Sequence, residues 1–392
     1  MRLQFPDGFI WGTSTAAAQI ETASDHNWKG LVSRDGYTFL ETAQHERRRD
    51  EDLEYIDRLG RMYRCGVDWA RLQTEPMAPF QEEVVAEYQD FFRQLNERGV
   101  QIMFVLHHFT HPIWFEDNKG WLNEKNIPVY LDYVVRCVKH FGPYVSNWNT
   151  FNEPNVYAMN GYILGGFPPH KKRFRLANRV LKHMGMAHEV AYKWIKEQYP
   201  DHPIGISLNT GTFEGKGLLG SLAAAFVRWW FMRKAAKPFE EVDYWGLSYY
   251  AYVPFRPFPI TEIDNPGKLA ELNIPHDKMW GYYPEGFGKV MRSFYKRYQK
   301  PIIITENGIC SEDDEVRMNA IKDYLKVCHT LIQEGIPLIG YIHWSTFDNF
   351  EWDLGPTYRF GLVRVHLESG DRTWTRAASF YEQIVQDNGV NV

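Results

Sequence analysis

Two short segments carry the residue types best suited to chemistry. Thr150-Phe151-Asn152-Glu153-Pro154 and Ile304-Thr305-Glu306-Asn307-Gly308 each set a glutamate at the end of a β-forming run. Two carboxyl groups facing one cleft, with no metal-ligand set around them, suit cleavage of a glycosidic bond: one protonates the leaving oxygen, and the other attacks the sugar or activates water. Taken singly, each glutamate is equally well explained as an acid near a helix start, where the dipole favours negative charge. Their matched placement along the chain is what argues for a shared site.

The elements that must position them follow from the β-rich runs Phe9–Thr13, Met62–Trp69, Gln101–His108, Ser146–Asn152, Ile204–Asn209, Tyr244–Tyr250, Ile302–Thr305 and Leu338–Trp344. Helical periodicity fills the segments between them, as at Asp50–Leu59, Glu82–Arg98 and Pro128–Phe141, each closed by a turn signal at Gly60, Gly99 or Gly142-Pro143. Such alternation fits an α/β chain folded as a (β/α)₈ TIM barrel, although an open doubly wound sheet alternates in the same way. A barrel keeps its chemistry at the C-terminal ends of its strands. Nearly every such end offers a polar or aromatic group here, from Gln19 and Arg64 to His108, Asn209, Tyr250 and Trp344. No repeat, low-complexity tract or linker divides the chain, so a single catalytic domain over residues 1–392 is expected.

Lys+Arg 44 against Asp+Glu 49 gives a net charge of −5, which speaks against a nucleic-acid partner and against a membrane surface. The aromatic share of 16% exceeds ordinary core needs and suits a lined pocket. Cys65, Cys137, Cys310 and Cys328 lie far apart with no C-x-x-C pair, so free thiols are expected. The N-terminus has no apolar leader, and the longest apolar stretch, Leu218 to Met232, contains Arg228 and is too short to span a bilayer. A cytoplasmic location is the expectation.

The segment from Phe5-Pro6-Asp7-Gly8-Phe9-Ile10-Trp11-Gly12-Thr13 to Gln19-Ile20-Glu21 resembles the N-terminal signature of glycoside hydrolase family 1, the β-glucosidase family. Thr150–Pro154 resembles its acid/base motif, Ile304–Gly308 its nucleophile motif, and Gly340–Trp352 its sugar-gripping loop, in family order from end to end of the chain. The resemblance implies a (β/α)₈ barrel and a retaining exo-β-glycosidase for small β-D-glucosides, galactosides or fucosides. It makes Glu153 the general acid/base and Glu306 the nucleophile, with no cofactor or metal. By the same resemblance Asn152 holds the sugar 2-hydroxyl, Gln19, His108, Glu351 and Trp352 surround the other hydroxyls, and Trp344 is the floor. Arg64 and Tyr250 match the nucleophile's partners, and a cation beside Glu306 should keep it ionised. Asn209 and Phe360 match more loosely. Glu351 is also expected to repel a 6-phosphosugar.

The sequence departs from the family at Ser248, where Asn is usual, at Phe109, where Trp is usual, and over Thr22–Gln44. The chain is short for the family, so the missing residues are expected in the βα loops on the leaving-group side. A transglycosylase and a catalytically silent sugar-binding relative are the alternatives; retention of both glutamates favours an enzyme. Other features carry less. Gly215-Lys216-Gly217-Leu218-Leu219-Gly220 fits G-x-G-x-x-G, but residues Thr210–Glu214 separate it from the expected strand, so it reads as a loop. His107, His108 and His111, and His188-Glu189, lack the spacing of a zinc site. Arg228–Lys237, basic and aromatic, reads as a packed barrel helix with a solvated face in preference to a membrane contact. Cys310 reads as a buried thiol.

Overall fold

The computed structural model describes residues 1–22, 24–39, 43–255 and 266–392. Eight parallel strands close into a barrel: β1 (Ile10–Ser14), β2 (Met62–Gly66), β3 (Gln101–Val105), β4 (Val145–Asn152), β5 (Ile204–Gly215), β6 (Tyr244–Phe255), β7 (Ile302–Asn307) and β8 (Leu338–Trp344), with β8 pairing back onto β1. The principal helix after each strand is, in order, α1 (Arg49–Arg58), α2 (Glu82–Glu97), α3 (Ile127–Phe141), α4 (Phe174–Gln198), α5 (Gly217–Arg228), α6 (Pro284–Tyr298), α7 (Asp314–Gln333) and α8 (Arg376–Asp387). This is the TIM barrel that the alternation and the family resemblance led us to expect. Among the described residues, no helix is long and apolar enough to cross a membrane.

The helices form for ordinary reasons. In α2 the acidic pair Glu82 and Glu83 opens the first turn, while Val85, Tyr88, Phe91, Phe92 and Leu95 recur at helical spacing and are buried against the barrel. Asp313 caps α7 by accepting from the Glu315 N–H at 2.8 Å, and Thr375 caps α8 by accepting from the Ala378 N–H at 3.0 Å.

Inside the barrel, Met62, Met103, Tyr244, Ile303 and Ile342 form an apolar layer. Strand side chains alternate, so the inward position two residues beyond Met62 is Arg64, at the lower edge of a polar layer. Ser207, Thr305 and Asn149 share that layer through bonds of 2.8 Å, Ser207 to Thr305 and Asn149 to Ser207. The core thus turns from apolar to polar just where the strands end.

Two strands run further than expected. β5 and β6 continue to Gly215 and Phe255 because Gly211–Gly215 keeps pairing with Ala251–Phe255. The glycine-rich run therefore follows a strand directly and opens α5, contrary to the separation that the sequence suggested. Its glycines have a packing role: a Cβ on Gly215 would lie 2.0 Å from the Gly220 carbonyl oxygen. The basic aromatic segment also divides. Within Arg228–Lys237, Trp230, Phe231 and Met232 are packed as expected, whereas Trp229 is exposed, as are Leu218, Leu222 and Phe226 before the segment.

The chain's last hairpin, Val363–Val365 with Arg372–Trp374, is fastened to α1 by a buried ion pair. Arg372 grips Asp52 with two bonds of 2.7 Å, and the guanidinium lies over the ring of Phe347, in the loop after β8. Asp52 Oδ2 also meets His45 Nδ1 at 2.7 Å, so removing Arg372 leaves the buried carboxylate with one histidine partner in place of the bidentate guanidinium. We expect Arg372→Met to lower the urea-unfolding free energy by about 3–5 kcal/mol, with Asp52→Asn in the same chain recovering part of the loss. A loss below about 1 kcal/mol would contradict this role.

Candidate active site

Most candidate residues stand at a strand's C-terminal end or in the loop that follows, while Arg64, Asn209 and Tyr250 lie within β2, β5 and β6. Glu153 takes a left-handed backbone (φ +43°) between β4 and a short helix that begins at Pro154. That conformation costs about 1–3 kcal/mol and persists only where neighbours impose it. Here the Glu153 N–H donates to the Ser207 carbonyl at 2.8 Å, and the preceding Asn152 N–H donates to that of His107 at 2.8 Å. Phe109 and Trp352, beside the same cleft, are also left-handed (φ +66° and +45°).

One guanidinium ties the cleft together. Arg64, fully buried, donates from Nη1 to Glu306 Oε1 at 2.8 Å and to Ser14 Oγ at 3.0 Å. From Nη2 it donates to Asn152 Oδ1 and, at 2.9 Å, to Ser207 Oγ. The other oxygen of Glu306 accepts from the Tyr250 hydroxyl at 3.0 Å. Glu153 Oε1 accepts from Asn209 Nδ2 at 2.7 Å. Asn209 is itself clasped by Asn155, whose amide donates to the Asn209 carbonyl at 2.9 Å and accepts from its N–H at 3.2 Å.

The same network assigns a tautomer. Because Asn152 Oδ1 accepts from Arg64, its Nδ2 is the donor to His108 Nε2 at 2.9 Å, so the imidazole proton sits on Nδ1. Burial and the Arg64 charge hold the His108 pKa well below its usual value, so the ring is neutral. Its Nδ1 is buried without a partner, as is Gln19 Oε1. Gln19 is oriented by its amide, which donates to the Phe350 carbonyl at 2.9 Å and to Asn349 Oδ1 at 3.1 Å, with Glu351 Oε2 at 3.5 Å. The cleft therefore presents one donor and one acceptor with unmet hydrogen bonds, as a polyhydroxyl ligand requires. Trp344 and Trp352 lie 5.9 and 5.8 Å from the His108 ring, and Phe360 packs 5.9 Å from Tyr250.

Three carboxyl groups are pushed up by burial. Glu153 rises to about 8, with the charge of Glu306 adding to the effect and the Asn209 bond opposing it. Glu351 also rises to about 8, through burial and then the charges of Glu306 and Asp353. Glu306 is raised too, against the pull of Arg64. Arg64 does favour the ionised form as expected, but burial outweighs it in the net direction. The pair is nonetheless asymmetric, because Glu306 alone holds the guanidinium, so Glu306 loses its proton before Glu153.

Sequence reasoning missed several participants. Ser207 and Asn155 act beneath the reacting groups; Asn155 follows the acid motif directly, which was the available signal. Trp280, in a loop before α6, packs with its ring tilted against Tyr250, 5.3 Å away. The stretch that fits the family pattern poorly is also part of the wall: Trp28 lies 4.9 Å from Trp352, and Phe39 lies 4.5 Å from Phe350. Phe109 closes the same wall, 5.0 Å from Trp352, and Ser248 is buried beside Glu153, whose pKa its hydroxyl helps to lower. The histidines are taken up by other contacts: His107 accepts from Trp121 Nε1 at 3.2 Å and meets His111 Nδ1 at 3.4 Å, His111 bonds Glu116 at 2.9 Å, and His188 lies between Thr150 and the Glu241 carbonyl. Cys310 is a buried thiol, as expected.

A closed eight-stranded barrel with two buried glutamates at its C-terminal rim defines the glycoside-cleaving class of barrel enzymes, and comparison with known proteins names the family. The glycosyl hydrolase family 1 model matches residues 1–217 and 234–390, so the chain belongs to that family and is a glycosidase. It is 29% identical to β-glucosidase A of Thermotoga maritima over 99% of both chains. The solved β-glycosidase from Pyrococcus horikoshii superposes with a TM-score of 0.89 at 26% identity, over 100% of this chain and 97% of that one. The chloroplastic galactolipid galactosyltransferase SFR2 of Arabidopsis thaliana is 28% identical over 84% of this chain and 55% of its own.

The site carries a testable cost. Glu351 has a folded pKa near 8 against about 4.3 when unfolded, so its contribution is fully present below about pH 4.3 and is lost as pH rises through 8. Glu351→Gln removes that loss. Its Tm advantage over the native chain should be larger at pH 9 than at pH 5; an equal difference at both would show that Glu351 is not raised.

Proposed function

We propose that the chain is a retaining exo-β-glycosidase, one catalytic domain over 1–392, acting on small β-D-glucosides, galactosides and fucosides through a covalent glycosyl-enzyme. The observation that carries this reading is the split environment of the two glutamates. Glu306, bound by Arg64 and Tyr250, is suited to be an anionic nucleophile, while Glu153, pushed up to about 8 beside it, is suited to hold a proton at neutral pH.

In the first step the Glu306 carboxylate attacks the anomeric carbon as the glycosidic bond breaks, and the Glu153 proton passes to the departing oxygen, releasing the aglycone as an alcohol. In the second, Glu153, now a carboxylate, takes a proton from water as that water attacks the anomeric carbon and frees Glu306. Asn152, held by Arg64 and His108, is suited to the sugar 2-hydroxyl, where a bond that strengthens with oxocarbenium character lowers the barrel's barrier to glycosyl transfer. Gln19 Oε1 and His108 Nδ1 are free for the other hydroxyls, Glu351 and Trp352 complete their ring, and Trp344 is the floor. Phe360 supports Tyr250. An alcohol in place of water gives transglycosylation by the same two steps, and similarity to a galactosyltransferase favours keeping that second reading.

The pH profile of kcat/KM should be bell-shaped, rising as Glu306 ionises and falling as Glu153 loses its proton near pH 8. A profile flat to pH 10 would exclude Glu153 as the acid. Glu153→Ala should slow glycosides with poor leaving groups about a hundredfold more than nitrophenyl glycosides; equal losses would count against the assignment.

Selectivity at the sugar follows from Glu351. Below pH 8 its carboxyl holds a proton, so rejection of a 6-phosphosugar at neutral pH rests on burying the phosphate charge more than on like-charge repulsion. We expect the ratio of kcat/KM for a 6-phosphoglucoside to that for its parent glucoside to stay below one and to fall further above pH 8. A ratio above one would overturn the pocket assignment.

A further inference from the structure

α5 and the turn that continues it are unlike the other barrel helices. Leu218, Leu219, Leu222, Phe226 and Trp229 are between 48% and 77% exposed, and Phe174 at the start of α4 joins them, 6.2 Å from Phe226. This is a continuous apolar face, where a soluble enzyme ordinarily exposes scattered residues. It sits on the active side of the barrel: five residues of extended strand separate Asn209, which bonds Glu153, from Gly215, a run of about 20 Å. The face also lies in residues 218–233, which fall between the two stretches matched by the family model.

The surrounding charge points to its partner. Residues 164–182 contain six basic and no acidic side chains, and residues 216–237 contain five and none, all of them exposed, in a chain whose net charge is −5. Arg173 and Arg175 flank Phe174, and Arg228 adjoins Trp229. None of these cations is in an ion pair with another described residue that would neutralise it. A second copy of the chain would bring the same positive face against itself across a two-fold axis, which opposes self-association here. Leu, Phe and Trp on a helix rimmed by Arg and Lys are the composition of an interfacial helix.

We propose that this face docks on an anionic lipid bilayer, with the apolar side chains of α5 entering the headgroup boundary and the flanking cations meeting lipid phosphates. Docking does not require the catalytic assignment, so it is tested separately. Sedimentation with vesicles of phosphatidylcholine containing about one-third phosphatidylglycerol should carry down the full chain, pure phosphatidylcholine vesicles should not, and high salt should release it. The triple substitution Leu222→Ser, Phe226→Ser, Trp229→Ser should cut the bound fraction about tenfold or more while leaving turnover of a soluble nitrophenyl glucoside unchanged. Arg173→Glu with Arg228→Glu should do the same without touching the apolar face. Absence of binding to the anionic vesicles, binding by both variants equal to that of the native chain, or a native dimer that the triple substitution dissociates would overturn the proposal.

Discussion

The burial of a guanidinium inside the barrel is the constraint on which the rest of the site depends. Arg64 cannot give up its proton, so wherever it is buried an anion and a set of acceptors must be buried with it. β7 supplies the anion, Glu306, while β1, β4 and β5 supply Ser14, Asn152 and Ser207. Counting β2, which carries Arg64, five of the eight strands are thereby fixed relative to one another. Asn152 then orients His108, and Glu306 accepts Tyr250, so the ion pair sets tautomers and rotamers several residues away.

The same burial sets the acid–base order. Without Arg64 two carboxyl groups in a dry cleft would compete for one proton on nearly equal terms. With it, one is favoured as an anion, and its charge helps keep the other protonated. The cost appears as three carboxyl groups held above their ordinary range. It is offset elsewhere, by the apolar layer around Met62 and Ile303 and by the aromatic wall from Trp28 to Trp352. Left-handed backbone at Glu153, Phe109 and Trp352 places strain in the same region, where the polar network over-determines the geometry.

Much of this was legible in the sequence because strands that end in chemistry keep unusual residues there. Glu153, Glu306, Arg64 and Asn152 could be read from short motifs, and all eight strands from β-rich runs. The ends of β5 and β6 could not, since Thr210–Gly215 and Ala251–Phe255 become strand only by pairing with each other. Ser207 and Trp280 were hidden for a related reason: a single serine or tryptophan gains meaning only from the atoms opposite it. The wall built by Trp28 and Phe39 was obscured because its segment departs from the family pattern while still supplying aromatic rings. The exposed face of α5 left no mark on the net charge, since a value summed over the chain conceals two wholly basic stretches.

The central claim is that Glu306, fixed by Arg64, becomes covalently bonded to the sugar while Glu153 does not. Peptide mapping by mass spectrometry after incubation with a 2-deoxy-2-fluoro-β-glucosyl fluoride tests it most directly, because the fluorine slows release of the glycosyl-enzyme more than its formation. The account predicts one added fluoroglucosyl group, located on Glu306. A label on Glu153 or another residue, or turnover that gives the inverted anomer with no labelled peptide, would contradict it.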